Sequence, residues 1–331
     1  MAAAATPIEL LAAHGADGFP HLLAARERTE AELAELRSRL AGLERDEDVA
    51  VVLFGSWGRR ELTEHSDDDW LLLVDGPRRE HTAPGLDALR ERLGGGAREP
   101  GEAGIFGGTA FGDDLVDHIG LDEDDNRNLT QRMLLMLESV PILGEDAYRS
   151  CWTRVLDRYL AEEREARRPP RFFLNDVIRY WRTIAVDFAG KQRDSDEKWG
   201  LRNAKLRTSR KVLFAGGLVP IVRCHSLPRE QVRPFLIDQL SRPATDRLAD
   251  AFLATGLQDA GVRCLSAYDR WLGLLGDAEV RAELASLDRR SARRSETFVD
   301  VRRLAADLQN GLLALLFETQ LAPAVREYAI F

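Results

Sequence analysis

Two short runs of consecutive apolar residues constrain this chain more than any other feature. They are Val49-Ala50-Val51-Val52-Leu53-Phe54 and Trp70-Leu71-Leu72-Leu73-Val74. Acidic residues precede the first run, Gly55-Ser56 follows it, and Asp75-Gly76-Pro77 ends the second. Apolar runs of this length, bounded by turn-forming residues, predict buried strands. Around them lie helical patterns. Residues 24–45 carry Leu33, Leu36, Leu40 and Leu43 at helical spacing among many charges, as an amphipathic helix does. A short helix is expected near 8–13 and another over 85–93, before Gly94-Gly95-Gly96. Residues 105–111 predict a further strand, weakened by its glycines. Residues 129–140 predict a helix that Pro141 ends.

Beyond Trp152 the strand signals nearly vanish. Helical patterns follow over 151–165, 171–190, 203–215, 228–240, 243–256, 259–275, 278–288 and 294–319. A chain of 331 residues exceeds one ordinary core. The expected organisation is therefore an α+β domain with a small mixed sheet over 1–150 and an all-helical domain over 151–331. Apolar residues at 44% and charged residues at 31% place the chain among globular rather than disordered proteins. No apolar run is long enough to span a membrane, so no membrane partner is expected. The stretch from Met1 to Ala5 lacks the basic and long apolar regions of a secretion signal. Cys151, Cys224 and Cys264 form no CxxC pair, so neither a zinc site nor a disulfide framework is expected, and a reducing, cytoplasmic setting fits.

The stretch that joins the two strands carries the chemistry. It reads Gly55-Ser56-Trp57-Gly58-Arg59-Arg60-Glu61-Leu62-Thr63-Glu64-His65-Ser66-Asp67-Asp68-Asp69. Gly55 lets backbone approach a phosphate without a side chain in the way. Ser56 offers a hydroxyl and an N–H at the start of a helical segment, where anions bind. Arg59, three residues on, shares that side of the turn and could support a phosphate or pair with a carboxylate. Asp67 and Asp69 alternate at a strand entry, so both point one way and Asp68 the other. Mg²⁺ takes oxygen ligands and is commonly held by one or two carboxylates plus substrate phosphates. Two such ions can stabilise the attacking and leaving oxygens of an in-line displacement. Taken singly, Gly-Ser after a strand is often a plain turn, and an acidic triplet is often solvated or caps a helix. Their joint spacing between two buried strands is the informative feature.

This stretch resembles the DNA polymerase β-like nucleotidyltransferase superfamily. Its signature is a hydrophobic residue, Gly-Ser or Gly-Gly, about ten residues, then Asp-x-Asp or Asp-x-Glu; here ten residues separate Ser56 from Asp67. The extended pattern is most similar to the nucleotidyltransferase domain of PII-protein uridylyltransferase and its relatives that carry a helical domain assigned to substrate binding. Weaker likeness extends over 119–144 and 199–211. The resemblance implies transfer of a nucleoside monophosphate from an NTP, ATP among them, with pyrophosphate leaving. Asp67 and Asp69 would hold two Mg²⁺ ions, with Mn²⁺ possible. Gly55, Ser56, Arg59 and Ser66 would contact the nucleotide. It also implies a third carboxylate on a later strand, for which Asp113, Asp114 and Asp117 are the nearest candidates, although 113–119 could equally be a helix.

Trp57 and Trp70 suit a core better than a base-stacking platform. The run Asp122-Glu123-Asp124-Asp125 reads as a solvated loop that caps the following helix. In the second half, Arg202, Lys205 and Ser209 share a helical face, with Leu201, Leu206 and Leu213 turned inward. That face suits the β- and γ-phosphates; the alternative is a surface helix that balances nearby acids. There is no Gly-x-x-x-x-Gly-Lys-Ser/Thr, which disfavours a P-loop enzyme. The acceptor is left open among a protein side chain, a tRNA end, a small molecule and a second nucleotide. The formal net charge of -9 argues mildly against a large nucleic acid, and the resemblance argues mildly for a protein. A catalytically inactive nucleotide-binding or interaction module, such as a defence or toxin–antitoxin component, is the rival, and the third carboxylate discriminates.

Overall fold

In a computed structural model of the chain the described residues are 5–43, 45–78, 105–161, 167–194 and 197–329. The expected helix at 85–93 lies outside them. The architecture is α+β, with a four-stranded mixed sheet and many helices. The chain divides into two compact units, one of residues 25–164 and one of residues 1–24 with 165–331. The expected boundary at 150 therefore moves. A helix over 145–161 packs on the sheet, and the first 24 residues group with the helical remainder.

In chain order the elements are α1 (Pro7–Ala12), α2 (Pro20–Leu40), β1 (Val49–Phe54), α3 (Ser56–Arg59), β2 (Trp70–Val74) and β3 (Thr109–Phe111). Then come α4 (Gly112–Asp117), α5 (Asn126–Leu137), β4 (Ser139–Leu143), α6 (Glu145–Ala161), α7 (Arg171–Asp194), α8 (Trp199–Arg207) and α9 (Ser209–Arg223). The last long helices are α10 (Arg229–Leu240), α11 (Ala244–Ala254), α12 (Gln258–Gly276), α13 (Ala278–Ser286) and α14 (Glu296–Phe317).

The sheet order is β3-β2-β1-β4. β1 is antiparallel to β2 and to β4, while β3 runs parallel to β2. One face of the sheet packs Val49, Val51, Leu53, Trp70, Leu72 and Val74 against Leu33, Leu36 and Leu40 of α2. Alternation turns Ala50, Val52, Leu71 and Leu73 to the other face, which α6 covers. Every residue of β1 and β2 is buried in consequence, which is why both strands read as unbroken apolar runs.

Three expectations need correction here. The helix expected over 129–140 stops at Leu137, and the next residues form β4. Its Pro141 pairs with Val52. Among the described residues β4 is an edge strand bonded only to β1, and an edge tolerates a residue without an N–H. The strand expected over 105–111 shortens to Thr109–Phe111, although Gly107 and Gly108 still exchange backbone hydrogen bonds with Trp70 and Leu72 at 2.7 and 3.0 Å. The helix expected over 203–215 begins earlier and breaks at Thr208, whose φ of -122° and ψ of -89° divide it into α8 and α9.

The helical unit is tied together by buried polar groups at its helix ends. Asp246 and Asp269 accept the backbone N–H groups of Ile8 and Leu22 at 3.2 and 2.8 Å. Buried Arg247 donates to the carbonyls of Gln239, Leu240 and Arg242, where α10 ends. Among the described residues no helix is long and apolar enough to cross a membrane.

Candidate active site

Antiparallel pairing sets Leu53 opposite Trp70, so the exit of β1 and the entry of β2 meet at one end of the sheet. The chain leaves β1 through Gly55 at φ 65° and ψ -126°, a conformation that L side chains rarely adopt. A Cβ at this position would stand 3.2 Å from Oδ2 of Asp69. Directly beside it, the Phe54 N–H donates to the Asp69 carbonyl at 2.8 Å. Backbone and side chain of Asp69 are thus both placed against the Phe54–Gly55 corner, where α3 begins.

α3 is a single turn. The Glu61 N–H donates to the Ser56 carbonyl at 2.8 Å, and Arg60 closes the turn at φ 59°. Gly58 packs on the entry of β4, where an added Cβ would lie 1.9 Å from the Glu138 carbonyl oxygen. No side chain fits there, and the sequence reading gave Gly58 no such role. Trp57 and Trp70 both lie in the core.

The three aspartates are treated differently. Asp67 is exposed and Asp69 half-buried. Asp68 accepts the indole N–H of buried Trp57 at 3.0 Å. The middle residue of Asp-x-Asp therefore ties α3 to the strand entry. Asp68→Ala should leave the indole N–H without this acceptor and lower stability by about 1–3 kcal/mol. Urea unfolding checks this; an unchanged midpoint would show that the bond contributes nothing.

Arg59 sits between two buried carboxylates. Its Nε bonds Glu61 at 2.9 Å and its Nη1 pairs with Glu138. Those two nitrogens are directed to Glu61 and Glu138, one of the two roles the sequence left open, with carboxylates other than the Asp67–Asp69 pair. Ser66 closes a turn: its Oγ accepts the Thr63 N–H at 3.0 Å, and its own N–H donates to the Thr63 carbonyl at 3.1 Å.

The candidates for a third carboxylate fall at the wrong end of the sheet. β3 runs parallel to β2, so its exit into α4 lies beside the exit of β2, roughly 15 Å along the strand from Asp69. There Arg154 bridges Asp75 at 2.9 Å and Asp113 at 2.6 Å, and Asp114 pairs with Arg78. Asp117 is exposed at the last turn of α4. Beneath the bridge, burial first and then Asp75 push the Cys151 thiol up to about 12, so it is no nucleophile. Burial likewise raises the Cys224 and Cys264 thiols. β3 itself offers Thr109, Ala110 and Phe111. Among the described residues no group of three His, Cys, Asp or Glu could hold a metal ion. Asp67 and Asp69 do fit a Mg²⁺ ion that takes its other ligands from phosphate and water, being accessible hard donors at one strand entry.

The acidic run at 122–125 is not uniformly solvated. Asp125 caps α5 through the Asn128 N–H at 2.7 Å, as expected of a cap. Asp124 is buried and takes a two-pronged ion pair from Arg132 at 2.8 and 2.7 Å, while the Arg132 Nε donates to Tyr159 Oη at 2.6 Å.

In the helical unit, Arg202 and Lys205 are half-buried on α8. Ser209 does not share their face. It lies past the break at Thr208, is buried, and accepts the Trp271 indole N–H at 3.0 Å. Leu201 and Leu213 are buried as expected, whereas Leu206 is only partly so. A scan against protein-family models and a search of the curated proteins return no match for this chain.

Proposed function

We propose that the sheet-bearing unit is a polymerase β-like nucleotidyltransferase domain. In this reading the chain moves a nucleoside monophosphate from an NTP to an acceptor hydroxyl, in the presence of Mg²⁺ or Mn²⁺. The observation that carries the reading is the Gly55 corner: it sets the Asp69 carboxylate against the start of α3, with Asp67 two residues before and Asp68 diverted to Trp57. Metal ions held by Asp67 and Asp69 would neutralise triphosphate charge and orient the α-phosphate. In this reading Ser56 and the Gly55 backbone receive the triphosphate, Ser66 supports the nucleotide, and Arg59 pairs with the two buried glutamates behind the site. Arg202 and Lys205 are assigned to the triphosphate on the sequence pattern alone. The acceptor oxygen forms its bond to the α-phosphorus as the bond to the pyrophosphate oxygen breaks, and the acceptor proton passes to solvent. Catalysis by this set is positioning and charge neutralisation.

One observation favours a second reading. β3, the neighbour of β2, carries no carboxylate, and no described residue completes a three-ligand group. A nucleotide-binding module without catalysis fits that deficit. Calorimetry with ATP and the other NTPs separates the two readings. Binding that needs Mg²⁺ or Mn²⁺, followed by transfer of label from NTP to a lysate component, is expected. Equal affinity in EDTA sinks the transferase and supports the module.

A further inference from the structure

The segment 198–211 holds Lys198, Arg202, Lys205, Arg207, Arg210 and Lys211 and no acidic residue, in a chain of formal net charge -9. Arg207 ends α8 and Lys211 lies in the first turn of α9, four residues apart across the break at Thr208. The Arg207 Nε donates to Asn203 Oδ1 at 2.7 Å, a neutral acceptor. Lys211 is half-buried; burial, and then the nearby Arg207 charge, push its ammonium below the usual lysine range. Among the described residues no carboxylate pairs with Lys211. A half-buried ammonium with an exposed guanidinium near it is screened less than in open water, and an anion that joins them relieves the opposition.

An aromatic surface adjoins this pair. Phe214 follows Lys211 by three residues on α9, which makes the two neighbours on the helix. Its ring stacks with Trp181 of α7, centroids 5.2 Å apart and planes 25° from parallel. Both rings are half-buried rather than enclosed. Cations bind phosphate through charge-assisted contacts, and open aromatic faces stack nucleobases with little base preference.

We propose that this corner of the helical unit binds a phosphorylated nucleoside, with the phosphate at Arg207 and Lys211 and the base on the Trp181–Phe214 surface. The ligand is then a nucleotide, free or as the end of a single strand. This binding does not rest on the transferase reading.

The test is fluorescence anisotropy of the full chain with a labelled single-stranded RNA of about ten nucleotides, without NTP or metal. Wild type should bind, more weakly as salt rises. Lys211→Gln and Arg207→Gln should each weaken binding about tenfold, and Trp181→Ala to a similar degree. Asp67→Ala should bind as wild type does. Circular dichroism checks the folding of each variant, and exposed Arg207 supplies the safe substitution if Lys211→Gln unfolds. Displacement by AMP assigns the site to one nucleotide; retained RNA binding in excess AMP assigns it to a strand. The proposal fails if wild type does not bind, if the Lys211 and Arg207 variants both bind normally, or if inorganic phosphate displaces RNA as well as AMP does. RNA binding without any transfer by the wild type would sink the transferase reading alone.

Discussion

Asp69→Ala and Asp67→Ala are each expected to reduce nucleotide transfer by about a thousandfold or more while leaving the protein folded. The scale is that of removing one preorganised charge-stabilising group from a reaction centre. Both side chains are accessible, and the Phe54–Asp69 backbone hydrogen bond survives truncation of the carboxylate, so the strand pairing is kept. Pyrophosphate release measured beside a thermal unfolding scan checks both halves of the statement. Near-wild-type turnover in either variant would remove that residue from the metal-binding role. Asp68→Ala is the internal comparison, because its damage is to stability: activity at a temperature where the variant remains folded should persist.

The largest stability effect is expected at Asp124, outside the candidate site. Asp124→Ala leaves the Arg132 guanidinium fully buried without its two-pronged partner. Breaking a buried pair from one side costs about 3–5 kcal/mol, because an uncompensated charge stays in the interior. Asp122→Ala, at an exposed position two residues away, should change stability by less than about 0.5 kcal/mol. Denaturant unfolding of the sheet-bearing unit, followed in the full chain, compares the two. Similar midpoints for both variants would mean that the Asp124–Arg132 pair is not buried in the folded protein.

How much of this was legible in the sequence follows from what each feature needs around it. β1 and β2 stood out because burial on both faces removes every polar residue from them. β4 was hidden for the converse reason. Residues 133–137 are apolar and helical, and Val140, past Glu138 and Ser139, still falls at helical spacing from Met136 and Leu137. Pro141 then read as a helix stop, although at a sheet edge it is merely tolerated. Alternation and spacing single out Asp67 and Asp69 as a proposed pair; the indole partner of Asp68 was not legible, since nothing local ties residue 57 to residue 68. Asp113 looked available until parallel pairing of β3 carried it to the far end of the sheet. In the run at 122–125 four similar residues gave no sign that one is buried, because its partner Arg132 lies two helical turns on. Ser209 seemed to continue a basic face only because the break at Thr208 leaves no mark in periodicity.

The fit of Gly58 against the Glu138 carbonyl has a kinetic meaning. A turn that touches backbone with no side chain between has no room to rock, and its neighbours Trp57 and Arg59 are fastened to Asp68 and Glu138. The turn therefore moves only with the sheet, as one rigid piece. On the proposed transferase reading, whatever opens and closes during a cycle lies elsewhere in the chain, and substitutions in this turn should alter how tightly a nucleotide is held without changing how fast the site admits it.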